Sequence, residues 1–266
     1  MTCSIFSRQK CWARNYAPKS SSECITKKEE PSMKDSARYY EEKLYPLQNG
    51  VLNIVNNAKT PFFLTGGTAL SRYYLGHRYS DDLDFFVVQN TEYSQLVNML
   101  LKDFFAAEKQ GHFIVDRGSI SKSEAHTLLF IAQPSTETEL KIEFVNDIAV
   151  HYGDILNVAT LGRIDSLQNI LSNKLSALFR SEPKDVADIY AIAMQQKELD
   201  WRKIVTEAKS KEVGADPEIL YDILRSFPLE QLDRIKWIQQ PDRESFGKAI
   251  KIIAEDILLG RINSLA

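Results

Sequence analysis

The sequence predicts an α/β (α+β) protein in which a mixed sheet with flanking helices is followed by a C-terminal helical domain. Strand-like and helix-like segments alternate up to about residue 160, and beyond that point the apolar residues follow a helical period. A Gly-Gly pair near residue 66 falls between a predicted strand and a predicted helix. The 266 residues, 44% of them hydrophobic, are enough for one large domain or two small ones.

Residues 1–32 differ from the remainder because they are polar and show no period. They predict a disordered tail, with the alternative that Met33 is the true start of the protein. All three cysteines, Cys3, Cys11 and Cys24, lie in this segment, so neither a disulfide framework nor a cysteine metal site is expected in the core. No secretory signal and no membrane-spanning run is present, and a cytoplasmic location is expected.

The periodicity predicts an element order that divides the chain into a domain at 33–160 and a helical domain at 161–266. After short helices before Lys59, with a break or kink at Pro46, strands are predicted at 62–64, 83–88, 112–117, 127–132 and 140–145. Helices are predicted at 69–75, 92–105, 166–179, 184–195, 201–210, 217–226 and 244–259.

Asp82 and Asp84 lie two residues apart at the start of a predicted strand. Side chains at this spacing share one face, with their Cα atoms roughly 6–7 Å apart. Two carboxylates so close repel each other unless a divalent cation lies between them, and Mg²⁺ or Mn²⁺ takes hard oxygen ligands of this kind. The alternative is a solvated Ser-Asp-Asp turn with no bound ion.

Gly66, Gly67 and Thr68 stand where a strand passes into a helix. Glycines there leave backbone N–H groups uncovered beside the positive end of the helix, which suits a phosphate chain. The alternative is a tight turn with Thr68 as the helix N-cap. Combined with the aspartates, however, this turn predicts a site for a nucleoside triphosphate and its metal ion.

Two further charged groups are candidates for the same site. Glu143 shares a predicted strand face with Lys141, and the alternative is an ordinary surface ion pair on an amphipathic strand. Lys174 lies within the apolar stripe of the predicted helix 166–179, where a lysine is costly unless it is paired. A cleft that opens onto phosphates would explain this lysine, and the alternative is a side chain that reaches solvent at the edge of the stripe.

The stretch LTGGTALSRYYLGHRYSDDLDFF, residues 64–86, resembles the AbiEii/AbiGii-type toxin nucleotidyltransferases, which have the DNA polymerase β-like nucleotidyltransferase fold. The resemblance continues in KIEFV, residues 141–145, and in NKLSALFRSEPKDVADIYAI, residues 173–192, and it covers roughly residues 35–260.

The resemblance implies a role for each matched residue. It assigns the metal ion to Asp82, Asp84 and Glu143, although an aspartate often stands at the third position. It assigns essential polar roles to Lys174 and Asp185. Nucleotide contacts are expected from Gly66, Gly67, Thr68, Arg72, Ser80, Lys141 and Lys174. Ser80, two residues before Asp82, is also a hypothetical self-modification site, or else a simple turn residue.

The function expected from this resemblance is Mg²⁺-dependent transfer of a nucleotide from an NTP to RNA, with the tRNA 3′ end as one candidate acceptor. The protein would be the toxin of a bacterial toxin–antitoxin or abortive-infection pair, with a cognate antitoxin as partner. One alternative keeps the site but transfers a nucleotidyl or phosphoryl group to a protein hydroxyl. Another is a non-catalytic module that binds a nucleotide or a partner.

Overall fold

A computed structural model describes residues 33–265 of the protein. The predictions for residues 1–32, including the tail, lie outside the described residues. The helices are α1 Met33–Tyr39, α2 Tyr45–Asn57, α3 Gly66–Ala69, α4 Tyr93–Lys109, α5 Leu167–Ser176, α6 Pro183–Gln195, α7 Trp201–Lys211, α8 Pro217–Arg225 and α9 Arg243–Leu259. The strands are β1 Phe63–Thr65, β2 Leu83–Val88, β3 Ile114–Lys122, β4 His126–Gln133, β5 Thr138–Asp147, β6 Leu156–Val158 and β7 Gly162–Ile164.

The strands form one seven-stranded mixed sheet in the order β3-β4-β5-β2-β1-β7-β6. The central strand β2 runs parallel to β5 and antiparallel to β1, and β1 runs parallel to β7. The predicted mixed sheet with flanking helices is therefore confirmed. None of the helices in residues 33–265 is both long and apolar enough to cross a membrane.

The alternating strands bury one apolar face beneath α2 and α4. Phe144 on β5 is fully buried, and its ring lies 5.3 Å from that of Phe85 and 5.0 Å from that of Phe62. Phe104 of α4 closes this aromatic cluster at 6.3 Å. Because each buried Phe removes a large apolar area from water, this cluster stabilises the pairing of β2 with β5. The pairing in turn determines which polar side chains lie side by side on the opposite face of the sheet.

The prediction that the chain is helical beyond about residue 160 is wrong at its start. A hairpin of β6 and β7 occupies 156–164, and Leu64 of β1 pairs with Ile164 of β7. The proposed boundary between residues 160 and 161 thus lies inside this hairpin, and the division into two domains stays a prediction. Two predicted helices also differ in kind, because Leu70–Leu75 and Tyr40–Leu44 are π-helical turns that continue α3 and precede α2.

The loop between α3 and β2 is fastened to the C-terminal part of the chain. The backbone N–H of Tyr79 donates to the carbonyl of Lys236 at 2.8 Å, and that of Ile238 donates to the carbonyl of His77 at 3.1 Å. Arg78 and Trp237 form the bridge between these two bonds. This clamp, residues 77–79 with 236–238, holds the loop that leads directly into Asp82.

The strand-to-helix turn at Gly66 requires glycine for two reasons. Its φ of +65° lies in the left-handed region, and a Cβ atom there would lie 2.6 Å from Oδ2 of Asp84. Gly50, in the middle of α2, has a φ outside that region and nothing within 4 Å of a Cβ placed on it.

We therefore expect opposite effects from alanine at the two glycines. Gly66→Ala should lower the free energy of unfolding by at least about 1–2 kcal/mol, the usual cost of a left-handed non-glycine residue. Gly50→Ala should raise it by about 0.5–1 kcal/mol, because alanine is the better helix former. Urea unfolding of both variants measures these changes. Equal effects at the two positions would contradict the geometry of the turn.

Candidate active site

Three carboxylates meet where β2 and β5 run side by side. Asp84 and Glu143 are direct partners in the parallel register of these strands, and Asp82 immediately precedes β2. All three line one cavity of about 870 Å³, which also contains Gly66 and Gly67. The structure therefore brings together the acidic residues and the glycine turn that the sequence singled out separately.

Burial and the neighbouring charges change the pKa values of the three carboxylates. The pKa of Asp84 is raised to about 6, mainly by burial and in addition by the neighbouring charges of Glu143 and Asp82. Burial also raises the pKa of Asp82. Burial acts in the same direction on Glu143, but the hydrogen bond and charge of Lys141, 3.0 Å away, outweigh it and lower the pKa of that carboxyl. Glu143 is thus paired with Lys141, whereas neither Asp82 nor Asp84 has a salt-bridge partner among residues 33–265.

The turn at Gly66-Gly67 lies close to these carboxylates because its residues have no side chains. A Cβ on Gly67 would lie 2.7 Å from Nη2 of Arg78 and 2.8 Å from Oγ of Ser80. The bare backbone and the Ser80 hydroxyl therefore face the cavity together. Thr68 is fully buried instead, and its hydroxyl donates to the backbone carbonyl of Asp82, which ties the turn to the strand entrance.

A divalent cation fits the chemistry of these donors. The carboxylate oxygens of Asp82 and Asp84 are hard ligands. Burial first, and then the neighbouring carboxylates, raise the pKa of Asp84, and a bound cation would offset both effects. Within residues 33–265, however, no group of three or more acidic, histidine or cysteine side chains has a ready-made ligand arrangement. Glu143 is engaged with Lys141, so Asp82 and Asp84 are the residues that would hold the ion.

Opposite the carboxylates, a fully buried aspartate of α6 contacts basic side chains from two other segments of the chain. Asp188 accepts hydrogen bonds from Nε and Nη2 of Arg78, at 2.7 and 2.8 Å, and it lies 2.8 Å from Nε2 of His77. Nζ of Lys174, on α5, is 2.7 Å from Asp188 and 2.7 Å from Asp185. Burial alone would raise the pKa of Asp188, but Arg78 and Lys174 hold it well below its usual range.

The sequence pattern did not single out Asp188, because an acid near the start of a helix is ordinary first-turn chemistry. The available signal was its spacing of three residues from Asp185 on a helix whose neighbouring positions, Val186, Ala187 and Ile189, are all apolar. Lys174 is buried, as predicted, and its charge is paired with Asp185 and Asp188. Lys174 and Asp185 both line the cavity, and Asp185 also accepts from Arg180 at 3.0 Å.

Arg72 was predicted to contact the nucleotide, but its side chain is engaged outside the cavity. Its guanidinium donates to Gln48 at 3.1 Å and to Asn49 at 2.7 Å, and it lies 4.6 Å from the ring centre of Tyr45. Arg72 is not among the residues that line the cavity. A nucleotide contact by Arg72 stays a prediction without support from this geometry.

The remaining wall of the cavity comes from the C-terminal helices. Besides the residues above, it includes cationic groups that face the carboxylates across the opening: Lys184, Lys211, Arg234 and Lys236. A cavity of this volume accommodates a nucleotide-sized ligand. Carboxylates and cations both line it, which suits a polyphosphate and a metal ion together.

Comparison with known families identifies the family to which the chain belongs. The family model described as "Nucleotidyl transferase AbiEii toxin, Type IV TA system" matches residues 54–255. The chain belongs to this family. The protein is thus a nucleotidyltransferase of a toxin family, and membership implies a nucleotide substrate and a cognate antitoxin.

Solved structures agree on the fold. A candidate nucleotidyltransferase from Helicobacter pylori is 22% identical, with a TM-score of 0.54 over 82% of this chain and 96% of that one. The protein JHP933 from Helicobacter pylori gives the same identity and TM-score over 82% and 93%. Identity this low supports the fold alone. A comparison with curated proteins found no match.

Asp84→Asn should stabilise the metal-free protein in a pH-dependent way. Because the folded-state pKa of Asp84 is raised from 3.8 to about 6, the wild type loses stability as the pH rises through this range. The variant should gain about 2–3 kcal/mol at pH 8 and almost nothing near pH 4. Urea unfolding in EDTA at both pH values measures this gain. A gain of the same size at both would show that charge is not its cause.

Asp188→Asn should destabilise the fold because it leaves buried cations without a counter-charge. We expect a loss of about 3–5 kcal/mol. Asp185→Asn is the matched control on the same helix, and it should cost less because Lys174 retains Asp188. Urea unfolding of both proteins gives the comparison, and a larger loss for Asp185→Asn would contradict the central position of Asp188.

Proposed function

We propose that the protein transfers a nucleotide from an NTP to an RNA acceptor, with the tRNA 3′ end as the leading candidate. The observation that carries this proposal is the register of Asp84 against Glu143, beside a turn whose bare backbone comes within contact distance of the Asp84 carboxylate. These groups share one cavity with cationic side chains. Nucleotidyl transfer needs this combination, because the triphosphate must be neutralised and aligned with the attacking oxygen.

Each group in the cavity has a chemical role in this proposal. Asp82 and Asp84 hold a Mg²⁺ or Mn²⁺ ion, which supplies charge neutralisation on the phosphates. The backbone of Gly66 and Gly67 and the hydroxyl of Ser80 face the triphosphate. Glu143, on the neighbouring strand, receives the proton of the acceptor hydroxyl, whose oxygen bonds to the α-phosphorus as the bond to the leaving pyrophosphate breaks. Lys141 holds the Glu143 carboxylate in position.

The cationic side supports the polyanionic substrates. Lys174 and Asp185 maintain the wall opposite the carboxylates, and Lys184 and Arg234 add positive charge at the cavity. The helical region would then shape the acceptor cleft. A toxin that modifies RNA ends in this way would stop growth, and we expect it to act in the cytoplasm of a bacterium with its antitoxin as partner and phage defence by abortive infection as one outcome.

A second candidate acceptor is a protein hydroxyl. Ser80 lines the same cavity two residues from Asp82, so a hydroxyl of the chain itself already lies beside the proposed metal ligands. In this alternative the protein labels itself, a target protein or the antitoxin. Incubation with α-labelled and γ-labelled NTPs, in the presence of RNA and of protein, separates the alternatives by where the label appears.

The decisive experiment is expression in bacteria followed by sequencing of RNA 3′ ends. The wild type should arrest growth and add nucleotides to RNA ends, and Asp84→Ala should reduce the addition by roughly 1,000-fold or more, because the metal ligand is lost. Glu139→Ala is the matched control, since Glu139 is an exposed acid on the same strand as Glu143 and does not line the cavity. Growth arrest by Asp84→Ala equal to that of the wild type would contradict the proposed function.

A further inference from the structure

One wall of the cavity carries side chains to which no motif assigns a role. Helix α5 and its C-cap present to the cavity, on the same face as Lys174, three residues at helical spacing: Ile170, Asn173 and Ala177. Phe179 continues this wall beyond the helix end. Unlike the sheet side, with its carboxylates, this wall combines apolar surface with a single side-chain amide.

Phe179 is an exposed aromatic ring within a mostly polar cavity. Its exposed fraction is 42%, although aromatic side chains of this size are normally buried. A Cβ atom on Gly214 would lie 3.3 Å from Cζ of the ring, so the glycine gives the ring its room. An accessible ring in a nucleotide-sized cavity is a surface on which a base can stack.

Asn173 is held in one orientation by Lys211 of α7. Nζ of Lys211 donates to Oδ1 of Asn173 at 2.6 Å, and it is itself fixed by Oδ1 of Asn169 at 2.6 Å and Oγ of Ser172 at 2.7 Å. Because an ammonium group can only donate, the amide must turn its oxygen toward Lys211. The amide nitrogen Nδ2 is then the group left for a ligand, and no hydrogen bond within the described part of the chain uses it.

Asn173 and Phe179 line the same cavity of about 870 Å³ as Asp82 and Asp84. A cavity of this volume accommodates a nucleotide-sized ligand. A nucleotide whose phosphates lie beside Asp84 must place its base against another wall of this cavity, and the wall that ends at Phe179 offers an exposed ring and the Asn173 amide.

We propose that Phe179 and Asn173 form the nucleobase subsite for the incoming NTP. The ring of Phe179 stacks on the base, and Nδ2 of Asn173 donates to a base acceptor such as O2 of a pyrimidine or N3 or N7 of a purine. Lys211 is a positioning residue that fixes the amide. This inference rests on the proposed nucleotidyl transfer and adds to it the residues that select the base.

Asn173→Asp is the sharpest test, because it replaces Nδ2 by an oxygen and leaves the partner of Lys211 unchanged. The variant should shift the relative use of the four NTPs by roughly tenfold or more toward bases that present an amino group at this point. Asn173→Ala should flatten the preference without reversing it. Competition among the four NTPs, followed by sequencing of the products, measures both effects.

Phe179 is tested by its effect on KM. Phe179→Ala should raise the KM for every NTP by roughly 5- to 150-fold and change kcat much less, whereas Phe179→Tyr should stay near the wild type. Ile219→Ala is the matched control, because Ile219 is also 42% exposed but lies on α8 outside the cavity. Titration calorimetry with each NTP should show the same ranking of affinities, and it needs no acceptor.

The outcomes of these experiments distinguish a failure of the nucleobase subsite from a failure of the proposed function. An unchanged NTP preference in an active Asn173→Asp protein would overturn base selection by this amide. A raised KM for RNA with an unchanged KM for NTP would assign the wall to the acceptor and overturn the subsite. If the wild type transferred no nucleotide at all, the proposed function would fail, and weaker NTP binding by the Phe179→Ala and Asn173→Ala proteins would still support the subsite.

Discussion

The arrangement of the site depends on one buried carboxylate. Asp188 lies on α6, yet its partners come from the loop before β2, through His77 and Arg78, and from α5, through Lys174. A buried charge is tolerated only when its counter-charges are in place, so these segments reach their positions together. Two of the partners also line the cavity. The wall that faces the carboxylates is therefore fixed by an interaction that itself lies outside the cavity.

The charges on the two sides of the cavity are balanced to different degrees. On the helical side, Lys174 is neutralised by two aspartates and is held rigidly. On the sheet side, the acids outnumber their cations, and the crowding is recorded in the raised pKa of Asp84. Such local instability is common where a protein must bind a charged ligand, because a site already neutral would have little to gain from a metal ion and a polyphosphate.

The sequence predicts some of these features closely, and each success or failure has a physical reason. The bounds of strand β2, Leu83–Val88, agree with the prediction because its apolar run, rich in aromatic and β-branched residues, is bounded by polar residues on both sides. The shared strand face of Lys141 and Glu143 was predicted from the alternation in LKIEFV, and the ion pair that the structure shows between them was the alternative interpretation. The hairpin at 156–164 was missed, since strands of three residues carry too little periodicity to stand out. The sequence presents Asp188 as an ordinary first-turn acid and does not single out Asn173, because the contacts that set them apart come from segments distant in the chain.

The clamp between 77–79 and 236–238 has a consequence for the time at which the protein becomes active. The loop that enters Asp82 is fastened by backbone bonds to Lys236 and Ile238, which follow it by more than half of the chain. During synthesis the loop therefore lacks its fastening until the ribosome has released these late residues. The geometry of the loop before Asp82 can therefore be completed only when translation is nearly finished.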